Sequence, residues 1–114
     1  MWGLLVGCWD LPEGWEGAEA VEGLTQSECG ASPYDTGYEE GATAAVEGAG
    51  VRVVAEPVTF RCEQEVRGFW RVGRGAVEVL LQPRDMHPSV VAGCDCGFRV
   101  EGWVPAVEDR VVVW

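Results

Sequence analysis

The sequence predicts an all-β fold: a small antiparallel β-sandwich or half-barrel, preceded by an acidic and mostly irregular N-terminal arm. Three observations predict it. From Val51 onward, apolar and polar residues alternate with period two, the signature of half-buried strands. Turn residues break that alternation at short intervals, as in sandwiches and barrels. No stretch sustains a helical period, because Gly14, Gly17, Gly23, Gly30, Gly37, Gly41, Gly48 and Gly50 interrupt each candidate helix in the first half.

The elements follow in order. Residues 15–25 offer at most a loose helical turn through Trp15, Ala18, Val21 and Leu24. Pro33-Tyr34-Asp35 and Gly37-Tyr38 read as turns, and residues 40–50 as a loop or linker. Val51 and Val53 then share one strand face with Arg52 opposite, and after Pro57 the inward set is Val58, Phe60 and Cys62. Val66, Trp70 and Val72 alternate with Arg67, Phe69 and Arg71. Gly73-Arg74-Gly75 is a hairpin turn leading to Val77, Val79 and Leu81. A loop from Pro83 to Pro88 precedes an inner face of Cys94, Cys96, Phe98 and Val100, with Asp95, Arg99 and Glu101 outward. Pro105 marks a break, and Val111 to Trp114 starts a last strand whose unshielded edge would invite pairing with another chain.

With 114 residues the chain is one domain at most, read as three stretches: residues 1–8, an acidic Gly-rich arm at 9–50, and a sandwich body at 51–114. Its formal net charge is −11, from 19 acidic and eight basic residues. The first 50 residues hold ten acids and no arginine, so the arm reads as a solvated spacer. The charge excludes nucleic acid as a partner, since phosphate binding needs a positive face. No apolar run approaches the ~20 residues of a transmembrane helix. Lysine, asparagine and isoleucine are absent, a bias that a GC-rich genome explains without any functional cause.

Five cysteines carry the strongest local signal: Cys8, Cys29, Cys62, Cys94 and Cys96. Leu5-Val6-Gly7-Cys8 resembles a bacterial lipobox, in which a small residue precedes the cysteine that receives diacylglycerol. The resemblance implies cleavage after Gly7 and a lipid on Cys8. It makes residues 1–8 the remnant of a signal peptide and places the translation start upstream, because a secretory signal carries a basic region and a longer apolar stretch. Setting Cys8 aside leaves an even number of cysteines, which in a small exported domain reads as two disulfides. A Cys94–Cys96 bridge would close a strained ring on one strand face. Cys29 and Cys62 therefore each join one member of that pair, and the reading favours Cys62–Cys96 with Cys29–Cys94.

The Cys-x-Cys strand, the aromatic Phe98 two residues on, and the closing valine strand resemble a loose group of secreted bacterial lipoproteins with β-sandwich modules. The likeness spans roughly residues 51–114 and implies a setting: the bacterial cell envelope, at the outer membrane or periplasmic face, with the membrane reached through the lipid on Cys8. It implies no activity.

No constellation points to catalysis. His87 sits in a loop with Arg84 and Asp85 nearby, and Ser27, Ser32 and Ser89 lie on no nucleophile elbow. The acid pairs Glu39-Glu40, Glu63/Glu65 and Glu108-Asp109 are what an acidic chain contains by chance. Asp10, Asp35, Glu39 and Glu40 supply oxygen atoms but no calcium-loop spacing. The expectation is a non-enzymatic protein with no cofactor and no metal, and with a structural or binding role toward an unidentified protein or glycan. The alternative is a small cytosolic metal-binding or adaptor domain using Cys29, Cys62, Cys94 and Cys96, although zinc sites ordinarily show Cys-x-x-Cys knuckles. Among the tryptophans, Trp70 reads as core, and Trp9 and Trp15 as candidates for a membrane interface beside Cys8. Trp103, placed in a loop, reads as a candidate for stacking on a ligand such as a sugar or peptide, and Trp114 ends the chain.

Overall fold

The computed structural model describes residues 13–83 and 94–114. Eight strands run in chain order: β1 (Glu19–Ala20), β2 (Thr25–Gln26), β3 (Ala42–Glu47), β4 (Gly50–Arg61), β5 (Val66–Gly73), β6 (Ala76–Pro83), β7 (Asp95–Val104) and β8 (Arg110–Val113). They form two four-stranded sheets, ordered β1-β5-β6-β8 and β2-β7-β4-β3. Every pairing is antiparallel except β6 with β8, which run parallel. The all-β sandwich read from the sequence is the observed architecture.

The two inner faces build one apolar layer. Val51 and Val53 of β4, Val77 and Val79 of β6, Val104 of β7 and the inserted Val21 form its larger cluster. Cys96, Phe98 and Val100 of β7 form the second, flanked by Val58 and Phe60 of β4 and by Cys62 just after it. A β-bulge reconciles the two halves of β4. The register steps from Ala55↔Val100 to Val58↔Phe98, so two residues on β4, Glu56 and Pro57, face one on β7, Arg99. The extra residue falls at Pro57, whose missing N–H cannot serve a ladder, and it keeps Ala55 and Val58 on the same face.

Turn chemistry fixes the hairpins. Between β5 and β6, Arg74 and Gly75 carry φ of 55° and 72°, the pattern of a type I′ turn. Between β3 and β4, only Gly48 of the two loop residues has positive φ (63°), as a type II′ turn requires at its first position. This second hairpin corrects the expectation of a loop across residues 40–50. Ala42–Glu47 pairs in continuous register with Gly50–Ala55. Its alanines have weak strand propensity and its residues are all exposed, so no alternation marks it in the sequence.

The acidic arm is irregular for much of its length, but its described part belongs to the body. β1 joins one sheet and β2 the other, so residues 21–24 cross the gap between them. Val21 donates its N–H to the Gly68 carbonyl at 2.9 Å. Its side chain and that of Leu24 enter the core over two glycines: a Cβ on Gly102 would lie 2.7 Å from Val21 Cγ1 and 2.9 Å from Leu24 Cδ1, and one on Gly68 would lie 3.4 Å from Val21 Cγ2. This crossover closes one side of the sandwich, and the described arm is not a detached spacer.

On the opposite side, β3 and β8 are the outer strands of their sheets. The residues of β8 expected to expose an edge, Val111, Val112 and Val113, are half-buried and share a shallow groove with Ala42, Thr43 and Ala44 of β3.

Candidate functional site

Two features of the sandwich concentrate chemistry: a sulfur cluster at one end and an aromatic cleft beside the crossover.

The sulfur cluster arises from register. Phe60↔Cys96 and Arg61↔Asp95 pair across β4 and β7, and the Cys62 N–H continues the ladder to the Cys94 carbonyl at 2.9 Å. Cys62 and Cys94 are thus directly opposite, with Cα atoms 5.5 Å apart, and they form a disulfide. The segment around Cys29 runs along the other edge of β7. Gly30 donates to the Gly97 carbonyl at 3.0 Å, and Gly97 donates to Ala31 at 2.8 Å. That places Cys29 beside Cys96, Cα to Cα 5.4 Å, in the second disulfide. Both separations lie in the usual range for the bond. The expected two bridges are present, but the favoured pairing is corrected: Cys96 joins Cys29 and Cys94 joins Cys62. The physical reason is that ladder register, invisible in the sequence, sets Cys94 and not Cys96 opposite Cys62. The cluster is tight, with Cys62 Sγ 2.6 Å from Cys96 Sγ. Cys96 is buried, Cys62 half-buried, and Cys29 and Cys94 exposed, so Cys94 sits at the rim and not on the inward face expected for it.

The aromatic cleft has a volume of about 360 Å³ and is lined by Glu19, Ala20, Glu22, Trp70, Trp103 and Pro105. Trp70 is an inward residue of β5, half-buried and packed against the larger core cluster, as the alternation predicts. Glu19 is its direct partner on β1, so the two side chains share one face. Trp103 belongs to β7 and not to a loop, on the face opposite Val104 and Gly102. Its indole Nε1 donates to the Glu47 carbonyl at 2.9 Å. The bare backbone of Gly50 lies under its ring, where a Cβ would come within 2.5 Å of the Cζ2 atom. A hydrogen bond on the ring edge and a glycine on one side fix the orientation of this tryptophan. Among the described residues, neither Glu19 nor Glu22 makes an ion pair or a side-chain hydrogen bond, in contrast to Glu47, Glu63, Glu78 and Glu101, which pair with arginines.

The remaining candidates have structural partners or lie elsewhere. The Trp15 ring, a membrane-interface candidate from the sequence, is only 6% exposed. The Arg71 guanidinium covers it at 4.0 Å from the ring centroid while also pairing with Glu78 at 2.5 Å. Placing Trp15 at a membrane surface is corrected on that ground, because cation–π stacking and burial occupy the ring. Ser27 Oγ accepts the Arg99 N–H at 2.8 Å, and Ser32 Oγ accepts the Tyr34 N–H at 3.2 Å. Glu40 accepts the Thr59 N–H at 2.7 Å, and Glu63 pairs with Arg61 at 3.1 Å. The Tyr34 hydroxyl donates to Asp95 at 2.9 Å, and that carboxylate raises the phenol pKa above its ordinary value. Cys8, Trp9, Asp10, Arg84, Asp85, His87 and Ser89 lie outside the described residues. Sequence reasoning missed the cleft because Glu19, Glu22 and Trp103 meet only after the crossover brings β1 and β7 to one side.

No family model, curated protein or solved structure matches this chain.

Proposed function

We propose that this chain is a non-enzymatic, lipid-anchored lipoprotein of the bacterial envelope, attached through Cys8 and serving a binding role. The observation that supports the reading best is the pair of disulfides, Cys29–Cys96 and Cys62–Cys94, since such cross-links persist in oxidising compartments and are rare in the cytosol. The lipobox-like Leu5-Val6-Gly7-Cys8 supplies the anchor. A cysteine carrying two or more acyl chains meets the requirement for stable membrane attachment, which one chain does not. The described surface adds a concavity suited to a binding role, lined by Trp70 and Trp103 together with Glu19 and Glu22.

The test is expression with the native upstream sequence in a bacterial host, followed by detergent-phase partitioning and intact mass. The expected protein partitions into detergent and begins at a diacylglyceryl Cys8, and Cys8→Ser moves it to the aqueous phase. Aqueous wild-type protein with a free Cys8 thiol would overturn the anchor.

One observation favours the alternative, a metal-binding domain: the Sγ atoms of Cys29, Cys62 and Cys96 lie within 4.8 Å of one another, so reduction would leave a compact thiolate set. In that case, protein isolated without reductant carries zinc that chelators remove, and all four cysteines titrate as thiols after denaturation.

A further inference from the structure

We propose that the cleft between Trp70 and Trp103 is a binding site for an organic cation, an alkylammonium or guanidinium group, held over the indoles and neutralised by Glu19 and Glu22. The proposal rests on the binding role inferred above but not on the lipid anchor, and it names the ligand class.

Three observations carry it. The first is shape and lining. The cleft's volume of about 360 Å³ lies within the ordinary range of small-molecule sites. Two indoles flank it, and tryptophan is the best π-face for a cation. The second is charge. Both carboxylates of the lining lack a partner among the described residues, in a chain of net charge −11 whose arginines are mostly committed elsewhere. Arg52 pairs with Glu47, Arg61 with Glu63, Arg71 with Glu78 and Arg99 with Glu101. An anionic or neutral ligand gains nothing from that field, whereas a cation is drawn in and discharges it. The third is an internal comparison. Where this chain buries aromatic rings on the outer face of the β5 sheet, it covers them with its own guanidinium groups: Arg71 over Trp15 at 4.0 Å and Arg67 over Phe69 at 4.8 Å. In the cleft, half-buried Trp70 and Trp103 instead stand beside Glu19 and Glu22, and Arg52, the cross-strand partner of Trp103, is drawn to Glu47. Trp103 is also held before any ligand arrives, by its bond to the Glu47 carbonyl and by the close approach of Gly50. Preorganisation of this kind lowers the entropic cost of binding.

The source of the cation is a free amine or a basic side chain of a peptide, and the experiment separates them. The full chain carrying Cys8→Ser is titrated with choline, with its neutral carbon isostere 3,3-dimethylbutan-1-ol, with an arginine-containing tripeptide and with cellobiose. The readouts are the ¹⁵N–¹H shifts of the tryptophan indoles and calorimetry. The expected result is saturable binding of choline or of the peptide, whichever is tighter naming the source. The isostere should bind at least tenfold more weakly, and the Trp103 indole should move most. Glu19→Gln/Glu22→Gln, at two exposed positions, should weaken the cation at least tenfold while leaving the melting temperature unchanged. Trp103→Leu should abolish binding. Equal binding of the isostere, binding of cellobiose alone, or no saturable shift with any cation would each overturn the proposal. None of these outcomes bears on whether Cys8 carries lipid, which the partitioning experiment decides separately.

Discussion

The crossover at residues 21–24 can be tested quantitatively through Gly102. Val21 is 8% exposed, so Val21→Ala removes two buried methyl-sized groups, worth about 1.6 kcal/mol by transfer and roughly 2 kcal/mol with the cavity left behind. Gly102→Ala adds a methyl that would lie 2.7 Å from Val21 Cγ1 and 2.9 Å from Leu24 Cδ1. Overpacking of that kind costs about 1–3 kcal/mol, offset by about 0.5–1 kcal/mol because alanine loses less backbone freedom than glycine on folding. The single Gly102→Ala variant should therefore lose about 0.5–2 kcal/mol. In the Val21→Ala background the nearer clash is gone and Leu24 retains a flexible end. There, Gly102→Ala should be neutral or stabilising. The two substitutions thus couple by about 0.5–3 kcal/mol, above the few tenths expected of independent sites. Urea unfolding followed by tryptophan fluorescence measures all four corners of the cycle. A Gly102→Ala variant as stable as wild type, or a double variant equal to the sum of the singles, would refute the packing of Val21 between β5 and β7.

Two further outcomes follow from local geometry. Arg74 holds a φ of 55° in the β5–β6 turn, a conformation that asparagine adopts more readily than arginine, so Arg74→Asn should raise the urea midpoint by about 0.5–1 kcal/mol of stability; a lower midpoint would contradict the type I′ assignment. The Arg52 guanidinium, bonded to Glu47 at 2.6 Å, holds that carboxyl below its ordinary value of 4.5. Because the folded-state pKa is the lower one, this pair's contribution is fully present above the unfolded value and is lost as pH falls through the folded value. Glu47→Gln should therefore reduce stability near neutrality and have no effect at the acid end, which pH-dependent melting of the two proteins compares.

Much of the sheet architecture was legible because its residues alternate. Val77, Val79 and Leu81 face inward opposite Glu78, and the turn at Arg74-Gly75 announces the hairpin before them. Phe98 and Val100 on β7 and Val58 and Phe60 on β4 form the expected inner faces. The parts that escaped share a physical character. β3 is a strand of alanines with no buried face, so pairing with β4 defines it and composition does not. β1 and β2 are two residues each, too short for any period, and they exist because Val21 and Leu24 fill space left by Gly68 and Gly102. The disulfide pairing depends on the register of β4 against β7, which sets Cys94, just before β7, opposite Cys62. The candidate site is least legible of all, since Glu19, Trp70 and Trp103 lie on three strands of two sheets and only the fold brings them together.

Two cross-links hold this thin sandwich together. Bridging residues 67 and 32 apart in sequence restrains the unfolded chain by about 4.4 and about 3.7 kcal/mol respectively on a loop-closure scale, values that are upper limits and do not simply add. For a domain whose whole stability is of order 5–15 kcal/mol, either is decisive. The direct measurement is paired: thiol titration of the denatured native protein, and urea unfolding with and without a dithiol reductant. No free thiol is expected among Cys29, Cys62, Cys94 and Cys96, and reduction should abolish cooperative folding or cost several kcal/mol. Four free thiols in protein isolated under non-reducing conditions, or an unchanged midpoint after complete reduction, would show that the cross-links do not hold the fold.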